Sequence, residues 1–320
     1  MILDSLSGAI RRGESKIHLK KRSGFPMIQI KGGRVVTNTL RFESPAKINL
    51  RLEILKERED GYHEIRTILQ KISLRDTLYF SLRKEKGISI KADFPTLPTG
   101  KSNLVYKAVQ SMMRESGYRG GILVEIKKRI PLGAGLGGGS SNAATTLKAM
   151  DQLLNLKVSR KRLMEMGLEI GADVPFFFLG GAAVGSGIGE RLRKIELPVL
   201  WFVLIYPNFE VSTRRAYENF VLTNQRIHFS LQKFTKTPEG ISHILLNHLE
   251  EVVSKKYPQI DNMKKILCSA GALAALMTGS GPTVYGIFSD GKSATEAYAR
   301  IKELAKRRGW IVLKAQSITA

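Results

Sequence analysis

Along Ala46-Lys47-Ile48-Asn49-Leu50-Arg51-Leu52-Glu53-Ile54 apolar residues fall on alternate positions. That is the period of a half-buried strand, and it puts Lys47, Asn49, Arg51 and Glu53 together on the polar face. Asp60-Gly61 marks a turn. An extended run follows to Leu82, in which residues 78–82 read as a strand, and Ile88-Ser89-Ile90 reads as another. Ser102 or Asn103 opens a helix with apolar Val105, Ala108, Val109, Met112 and Met113, ending at Gly117. Residues 121–127 alternate like a strand, and an Ala-rich helical run extends from Asn142 to Leu154. Ser159 opens a helix to about Ile170, which Gly171 stops; a glycine-broken strand pair follows over 180–189. Trp201-Phe202-Val203-Leu204-Ile205 begins a fresh buried strand after Leu197-Pro198, so a boundary is expected near 195–200. Beyond it the pattern predicts helices near 212–222, 239–254 and 258–269 and strands over 272–277 and 283–288. A helix N-capped by Ser293 then runs to Arg308, before a last strand over 310–315. Helix, strand, strand, helix, strand in that order implies an α+β layer.

Between the strand at 121–127 and the helix from Asn142 stands Pro131-Leu132-Gly133-Ala134-Gly135-Leu136-Gly137-Gly138-Gly139-Ser140-Ser141. A strand, a glycine-rich loop and a helix start aim several backbone N–H groups at one point, where the helix dipole adds positive charge. A phosphate cradle follows; a tight turn alone would need fewer glycines. Two other matches are weaker. Gly133-x-Gly135-x-x-Gly138 fits the dinucleotide fingerprint, but Pro131 interrupts the strand-to-glycine junction, and Asp151 lies inside a helical pattern rather than ending a second strand. Gly286 to Ser293 fits the P-loop pattern, yet its loop positions Ile287 and Phe288 complete an apolar strand run. His243 and His248 are five apart, off the spacing that would face two metal ligands one way. His18 and His228 have no informative context.

The chain has 320 residues, 43% of them apolar, enough for one large or two ordinary domains. Its formal charge is +23, from 51 Lys and Arg against 28 Asp and Glu. Such a balance suits nucleic acid, an acidic membrane surface or phosphorylated small molecules. The basic residues are spread throughout and no aromatic-interleaved nucleic-acid signature stands out, so a solvated basic surface is the favoured reading and nucleic acid is not expected. The single cysteine, Cys268, excludes an intramolecular disulfide and fits a reducing, cytoplasmic setting. No run of eighteen apolar residues exists to span a membrane. Residues 1–40 form a basic leader of poor periodicity, without a secretory apolar region; it is a disordered arm, a targeting segment or a reading frame extended upstream of Met27.

Three stretches carry a family resemblance: Pro45-Ala46-Lys47-Ile48-Asn49-Leu50, the glycine loop through Ala144, and Met277-Thr278-Gly279-Ser280-Gly281-Pro282-Thr283-Val284. They resemble the three motifs of the small-molecule kinases that include galactokinase, homoserine kinase, mevalonate kinase and phosphomevalonate kinase. Asp60-Gly61-Tyr62-His63 and residues 170–177 further resemble the branch of that superfamily that takes 4-diphosphocytidyl-2-C-methyl-D-erythritol as substrate, in the non-mevalonate isoprenoid pathway.

The resemblance covers about residues 42–320. It implies an α+β, two-domain small-molecule kinase fold. The N-terminal domain (41–197) is ribosomal-protein-like, the C-terminal domain (198–320) is ferredoxin-like, and the active site lies in the cleft between. It implies ATP and Mg²⁺ as co-substrate and ion, and phosphorylation of the acceptor's 2-hydroxyl. Asp173 is then the candidate base, against the plainer role of capping a short helix, and Lys47 is placed to stabilise charge on the carboxylate and the transferring phosphate. Residues 131–141 would hold ATP phosphates, with Ser140 or Ser141 as alternative Mg²⁺ ligands, and Asn103 and Lys128 match positions near the adenine. Asn49, Tyr62, His63, Tyr217, Gly279 and Ser280 are the candidate substrate contacts, with cytosine stacked between Tyr62 and Tyr217 and its polar edge on His63.

Overall fold

A computed structural model describes residues 29–31, 34–36, 39–222 and 236–319. Most of the basic leader, with Met27 and His18, and His228 lie outside the described residues. Within the leader, β1 (Gln29–Lys31) and β2 (Arg34–Val36) pair antiparallel.

Two long strands form the spine. β3 (Leu40–Glu57) and β4 (His63–Arg83) are joined by the turn at Asp60-Gly61 and paired antiparallel. The extended run to Leu82 is one continuous strand, β4, because partners cover it along both halves. β7 (Ala182–Gly187) pairs with Ile65–Gln70, and β6 (Gly121–Lys127) pairs with Thr77–Arg83. β5 (Gly87–Ala92) adds parallel to β6, and β8 (Arg191–Ile195) adds to β7. Against this sheet pack α1 (Leu104–Ser116), α2 (Gly138–Leu154) and α3 (Arg160–Ile170), burying Leu78, Phe80, Val105, Met112, Val124 and Leu147 in one core. Asn103, not Ser102, caps α1: its Oδ1 accepts from Val105 N.

The second layer is a four-stranded antiparallel sheet in the order β11 (Ala274–Met277), β12 (Val284–Phe288), β9 (Trp201–Tyr206), β13 (Ile311–Gln316). α7 (Gln259–Ser269) and α8 (Gly291–Lys306) provide its two crossovers, a split βαβ arrangement. The sheets meet in a shared core of Ala46, Ile48 and Leu50 with Phe202, Leu204, Tyr285 and Ile287.

Four expectations need correction. β3 is buried on both faces rather than one: Lys47 and Glu53 are as enclosed as Ile54, because the glycine loop and segments of the second layer cover its polar face. The helix expected over 239–254 is two helices, α5 (Pro238–Ser242) and α6 (His248–Lys256), separated by β10 (Leu246–Asn247). β10 pairs parallel with Arg51 and Leu52, so the later half adds a strand to the first sheet. The helix near 212–222 is the shorter α4 (Thr213–Glu218). Asp290, not Ser293, caps α8; Ser293 is the third helical residue and completes a reciprocal capping box. Gly286 to Phe288 lie in β12, so the apparent P-loop is a strand end and a cap.

Candidate active site

The glycine loop is tied to the first motif by backbone. Lys47 N donates to the Leu136 carbonyl at 2.9 Å, beside an irregularity in the β3–β4 pairing between Pro45 and Lys47. A bulge of this kind frees a backbone group from the ladder for use elsewhere. Asn49 is used similarly: its N–H donates to Thr278 Oγ1 at 2.9 Å, and its carbonyl accepts from Tyr285 Oη at 3.0 Å. These bonds draw the third motif onto the first. Asn247 Nδ2 holds the same loop through the Met277 and Gly279 carbonyls, each at 2.8 Å, while its Oδ1 caps α6.

Gly135 has φ +75°, and a Cβ there would stand 2.4 Å from the Thr278 carbonyl oxygen and 3.0 Å from that of Gly281. The two loops therefore touch through backbone, which only glycine permits. Gly135→Ala is expected to cost about 1–3 kcal/mol in strain and displacement and to raise the KM for ATP. Denaturant unfolding and steady-state kinetics check it; wild-type values in both would show that the loops can separate freely.

Lys47 and Asp173 meet at the mouth of this assembly. Lys47 Nζ lies 3.5 Å from Asp173 Oδ2 and 2.7 Å from Asn49 Oδ1. The Asp173 side chain remains 43% exposed while that of Lys47 is 5% exposed, so the carboxylate faces open space with a buried ammonium behind it. Asp173 does not cap the following 3₁₀ turn, Pro175–Phe178, whose N-cap is Val174 with no side-chain bond. A Cβ on Gly137 would stand 2.9 Å from Lys47 Cγ and 3.2 Å from Phe177 Cζ, and one on Gly279 would stand 3.4 Å from Lys47 Nζ. First motif, glycine loop, Asp173 and third motif thus share one centre.

The loop residues from Pro131 to Leu136 rise over β9, where Tyr206 Oη donates to the Leu132 carbonyl at 3.0 Å. Gly137 to Ser141 lead into α2, whose first-turn amides have no acidic side chain among them. Ser141 is fully buried and accepts from Ser44 Oγ at 2.8 Å, whereas Ser140 is partly exposed. Asn103 Nδ2 donates to the Pro98 carbonyl, so both ends of its amide serve the start of α1. Leu104 lies 3.5 Å from a Cβ built on Gly139, which sets the N-termini of α1 and α2 side by side. Lys128 is enclosed beneath the loop, its Nζ paired with Asp76 at 2.8 Å; burial draws its ammonium down against the opposing pull of that carboxylate.

Asp76 itself was not singled out by the sequence. It is fully buried, and its Oδ1 accepts from Arg129 N at 2.7 Å and Ile130 N at 2.8 Å, while Oδ2 accepts from Lys128 Nζ and from Asn142 Nδ2. One carboxylate therefore binds the entry to the glycine loop and the first turn of the helix that leaves it. Nothing in Arg75-Asp76-Thr77 marks this, because the four partners come from residues more than fifty positions away.

At the far side of the mouth, His63 and Tyr217 are in ring contact, centroids 5.3 Å apart and tilted by 39°. Burial, with the Asp173 charge adding to it, pushes the Tyr217 phenol well above its usual range. Tyr62, next in the chain to His63, is 59% exposed. Ser280 Oγ and Thr213 Oγ1 share a hydrogen bond of 2.7 Å, which links the third motif to the helix carrying Tyr217. No cluster of three or more His, Cys, Asp or Glu with metal-site geometry occurs among the described residues, and no described helix is long and apolar enough to cross a membrane.

Comparison with known proteins supplies the family. Residues 103–181 match the GHMP kinases N terminal domain and residues 236–307 match the GHMP kinases C terminal family. The chain is 45% identical over 282 residues to a 4-diphosphocytidyl-2-C-methyl-D-erythritol kinase of Syntrophus aciditrophicus, covering 87% of this chain and 99% of that one. It is 40% identical over 280 residues to the kinase of that name from Geobacter sulfurreducens, covering 87% and 99%. A crystal structure of 4-(cytidine 5'-diphospho)-2C-methyl-D-erythritol kinase superposes with a TM-score of 0.77 at 29% identity, covering 88% of this chain and 100% of that one. A mevalonate kinase from Methanococcus jannaschii shares the fold at a TM-score of 0.67 and 16% identity. The chain belongs to the 4-diphosphocytidyl-2-C-methyl-D-erythritol kinase family of the GHMP kinases.

Proposed function

We propose that this protein transfers the γ-phosphoryl group of ATP to the 2-hydroxyl of 4-diphosphocytidyl-2-C-methyl-D-erythritol, giving the 2-phosphate and ADP, in isoprenoid precursor synthesis. The observation that carries the reading is the convergence of Lys47, Asp173 and the glycine loop in a chain 45% identical to a kinase of that substrate.

In this reading backbone N–H groups of the loop and the start of α2 hold the ATP phosphates, in the absence of a P-loop lysine. The acceptor hydroxyl lies between Asp173 and the γ-phosphorus. Its oxygen forms the new bond to phosphorus as the bond to the β-phosphate oxygen breaks, and its proton passes to the Asp173 carboxylate. Lys47, held by Asn49, stabilises negative charge on the attacking oxygen and the transferring group. Mg²⁺ neutralises phosphate charge when bound. Ser140 is the loop hydroxyl that would hold the ion, since Ser141 is enclosed and engaged with Ser44. Asn103 and Lys128 border the adenine end at the paired helix starts. Tyr62, His63 and Tyr217 receive the cytosine, with Gly279 and Ser280 against the acceptor.

A panel of acceptors with a direct ADP readout tests the proposal. The cytidine compound should give a kcat/KM at least about 10³-fold above mevalonate or homoserine, since a site built for hydrogen bonds discriminates strongly against ligands that leave them unmade. Preference for either simple alcohol would overturn the substrate assignment.

A further inference from the structure

Lys71 is enclosed, yet no step above uses it. It is the cross-strand partner of Lys47: the two stand opposite each other on β4 and β3. Directly opposed residues project from the same face of a sheet. Both ammonium groups therefore serve the same region, but at different places. Lys47 Nζ reaches Asp173, ahead of the Pro175–Phe178 turn. Lys71 Nζ reaches the rear of that turn, donating to the Phe177 carbonyl at 3.1 Å and the Leu179 carbonyl at 2.6 Å.

A second cation meets the same place from the other side. Lys148, on the helix that leaves the glycine loop, donates from Nζ to the Phe177 carbonyl at 2.7 Å and lies 4.9 Å over the Phe178 ring. Lys71 Nζ lies 5.6 and 5.9 Å from the Phe176 and Phe177 ring centroids. The carbonyls at the end of a helical turn lack partners within the turn and carry partial negative charge, so two ammonium donors suit them. The charged groups that bear on Lys71 are Lys148 and Arg160, both cations. Burial first, and then their repulsion, brings the Lys71 ammonium down to about 7. A methionine would fill the same volume without that cost, but would leave the two carbonyls without this donor.

The front of the turn is equally constrained, since the Phe177 ring abuts the Gly137 position and Lys47 lies beside it. The turn is held between the phosphate loop in front and two lysines behind, and Asp173 stands two residues before its first proline. We propose that Lys71, assisted by Lys148, is a positioning residue for phosphoryl transfer: by clasping the Phe177 and Leu179 carbonyls it fixes the turn and so holds the Asp173 carboxylate opposite Lys47. This deepens the kinase reading and rests on it.

The test compares full-length Lys71→Met, Lys71→Arg and Lys148→Met with the wild type, in thermal unfolding, binding of a fluorescent ATP analogue, and kcat and KM for both substrates. A displacement of the carboxylate by about 1 Å should lower kcat by about 100-fold in Lys71→Met. Lys148→Met should lose about tenfold, because Lys71 still holds both carbonyls, and Lys71→Arg should recover part of the loss. ATP binding and its KM should stay within about twofold, since the phosphate loop is not what moves. Placing Lys71→Met in an Asp173→Asn background should cause little further loss, because the lysine acts through the carboxylate.

A folded Lys71→Met enzyme with wild-type kcat overturns the proposal. So does a loss that appears equally in ATP binding, or one that is fully additive with Asp173→Asn. If Lys71→Met does not fold, Lys148→Met decides alone, and an unchanged kcat there overturns the proposal. Wild-type turnover on the acceptor panel is measured first. Should the wild type prefer a different alcohol, the substrate reading fails, while the same variants on that alcohol still test Lys71.

Discussion

Asp173→Asn is expected to lower kcat by about 10³-fold, within the range that a positioned general base contributes. The substitution keeps the size of the side chain and removes the proton acceptor. It should leave the fold standing, for two reasons on the structure. The carboxylate is 43% exposed, so little packing is lost. Lys47 keeps Asn49 Oδ1 at 2.7 Å, so its buried ammonium is not left without a partner. ATP binding should change by less than about threefold, because in the proposed reading the glycine-loop amides, not Asp173, hold the nucleotide. Single-turnover kinetics with a calorimetric nucleotide titration separates the two quantities. An Asp173→Asn enzyme with full kcat would remove Asp173 from the role of base, and one that loses ATP binding in proportion to kcat would make it a structural residue of the donor site.

Asp76→Ala is expected to have the largest effect on stability, about 3–5 kcal/mol, the range for removing one member of a buried ion pair. The carboxylate has no exposed surface, and its removal leaves the Arg129 and Ile130 amides, the Lys128 ammonium and the Asn142 amide without that acceptor. Asp76→Asn should recover little. Its single oxygen still suits two donors, but its NH₂ then faces Lys128 Nζ and Asn142 Nδ2, both of which donate. Adding Lys128→Met to Asp76→Ala should restore part of the stability, since deleting both partners costs less than stranding one charge. Urea unfolding of the three variants measures this, and the KM for ATP should rise with the loss, because the same carboxylate anchors both ends of the glycine loop proposed to hold ATP. An Asp76→Ala protein as stable as the wild type would show that water can reach and satisfy these donors.

The contrast between Asp173 and Asp76 shows what could be read in advance. Asp173 stands within a distinctive run, Gly171-Ala172-Asp173-Val174-Pro175, and Lys47 within another, so the family resemblance of those short runs brought both forward. Asp76 sits in an ordinary strand, and its meaning lies in partners at Arg129, Ile130 and Asn142 that only the fold brings near. Lys71 is similar. Its register opposite Lys47 depends on an irregularity in strand pairing, which the alternation of apolar residues does not reveal. The helix expected over 239–254 failed for the same kind of reason. Its apolar spacing is helical, but Asn247 is drawn into extended backbone by pairing with β3 and by bonds to the third motif. Tertiary hydrogen bonds there outweigh local helix propensity.

By itself the sequence carried most of the elements in their order and a glycine-rich loop between a strand and a helix, because these rest on local spacing and backbone chemistry, and through the family resemblance of its short motifs it brought Lys47 and Asp173 forward. Only the tertiary structure decided how the polar face of β3 is enclosed, which serine of the loop stays accessible, and which buried charges hold the loop and the Asp173 turn in place. Those depend on desolvation and on partners distant in the chain: a carboxylate or an ammonium acquires its role from what excludes water around it, and that is settled only when the two sheets and the loops between them close together.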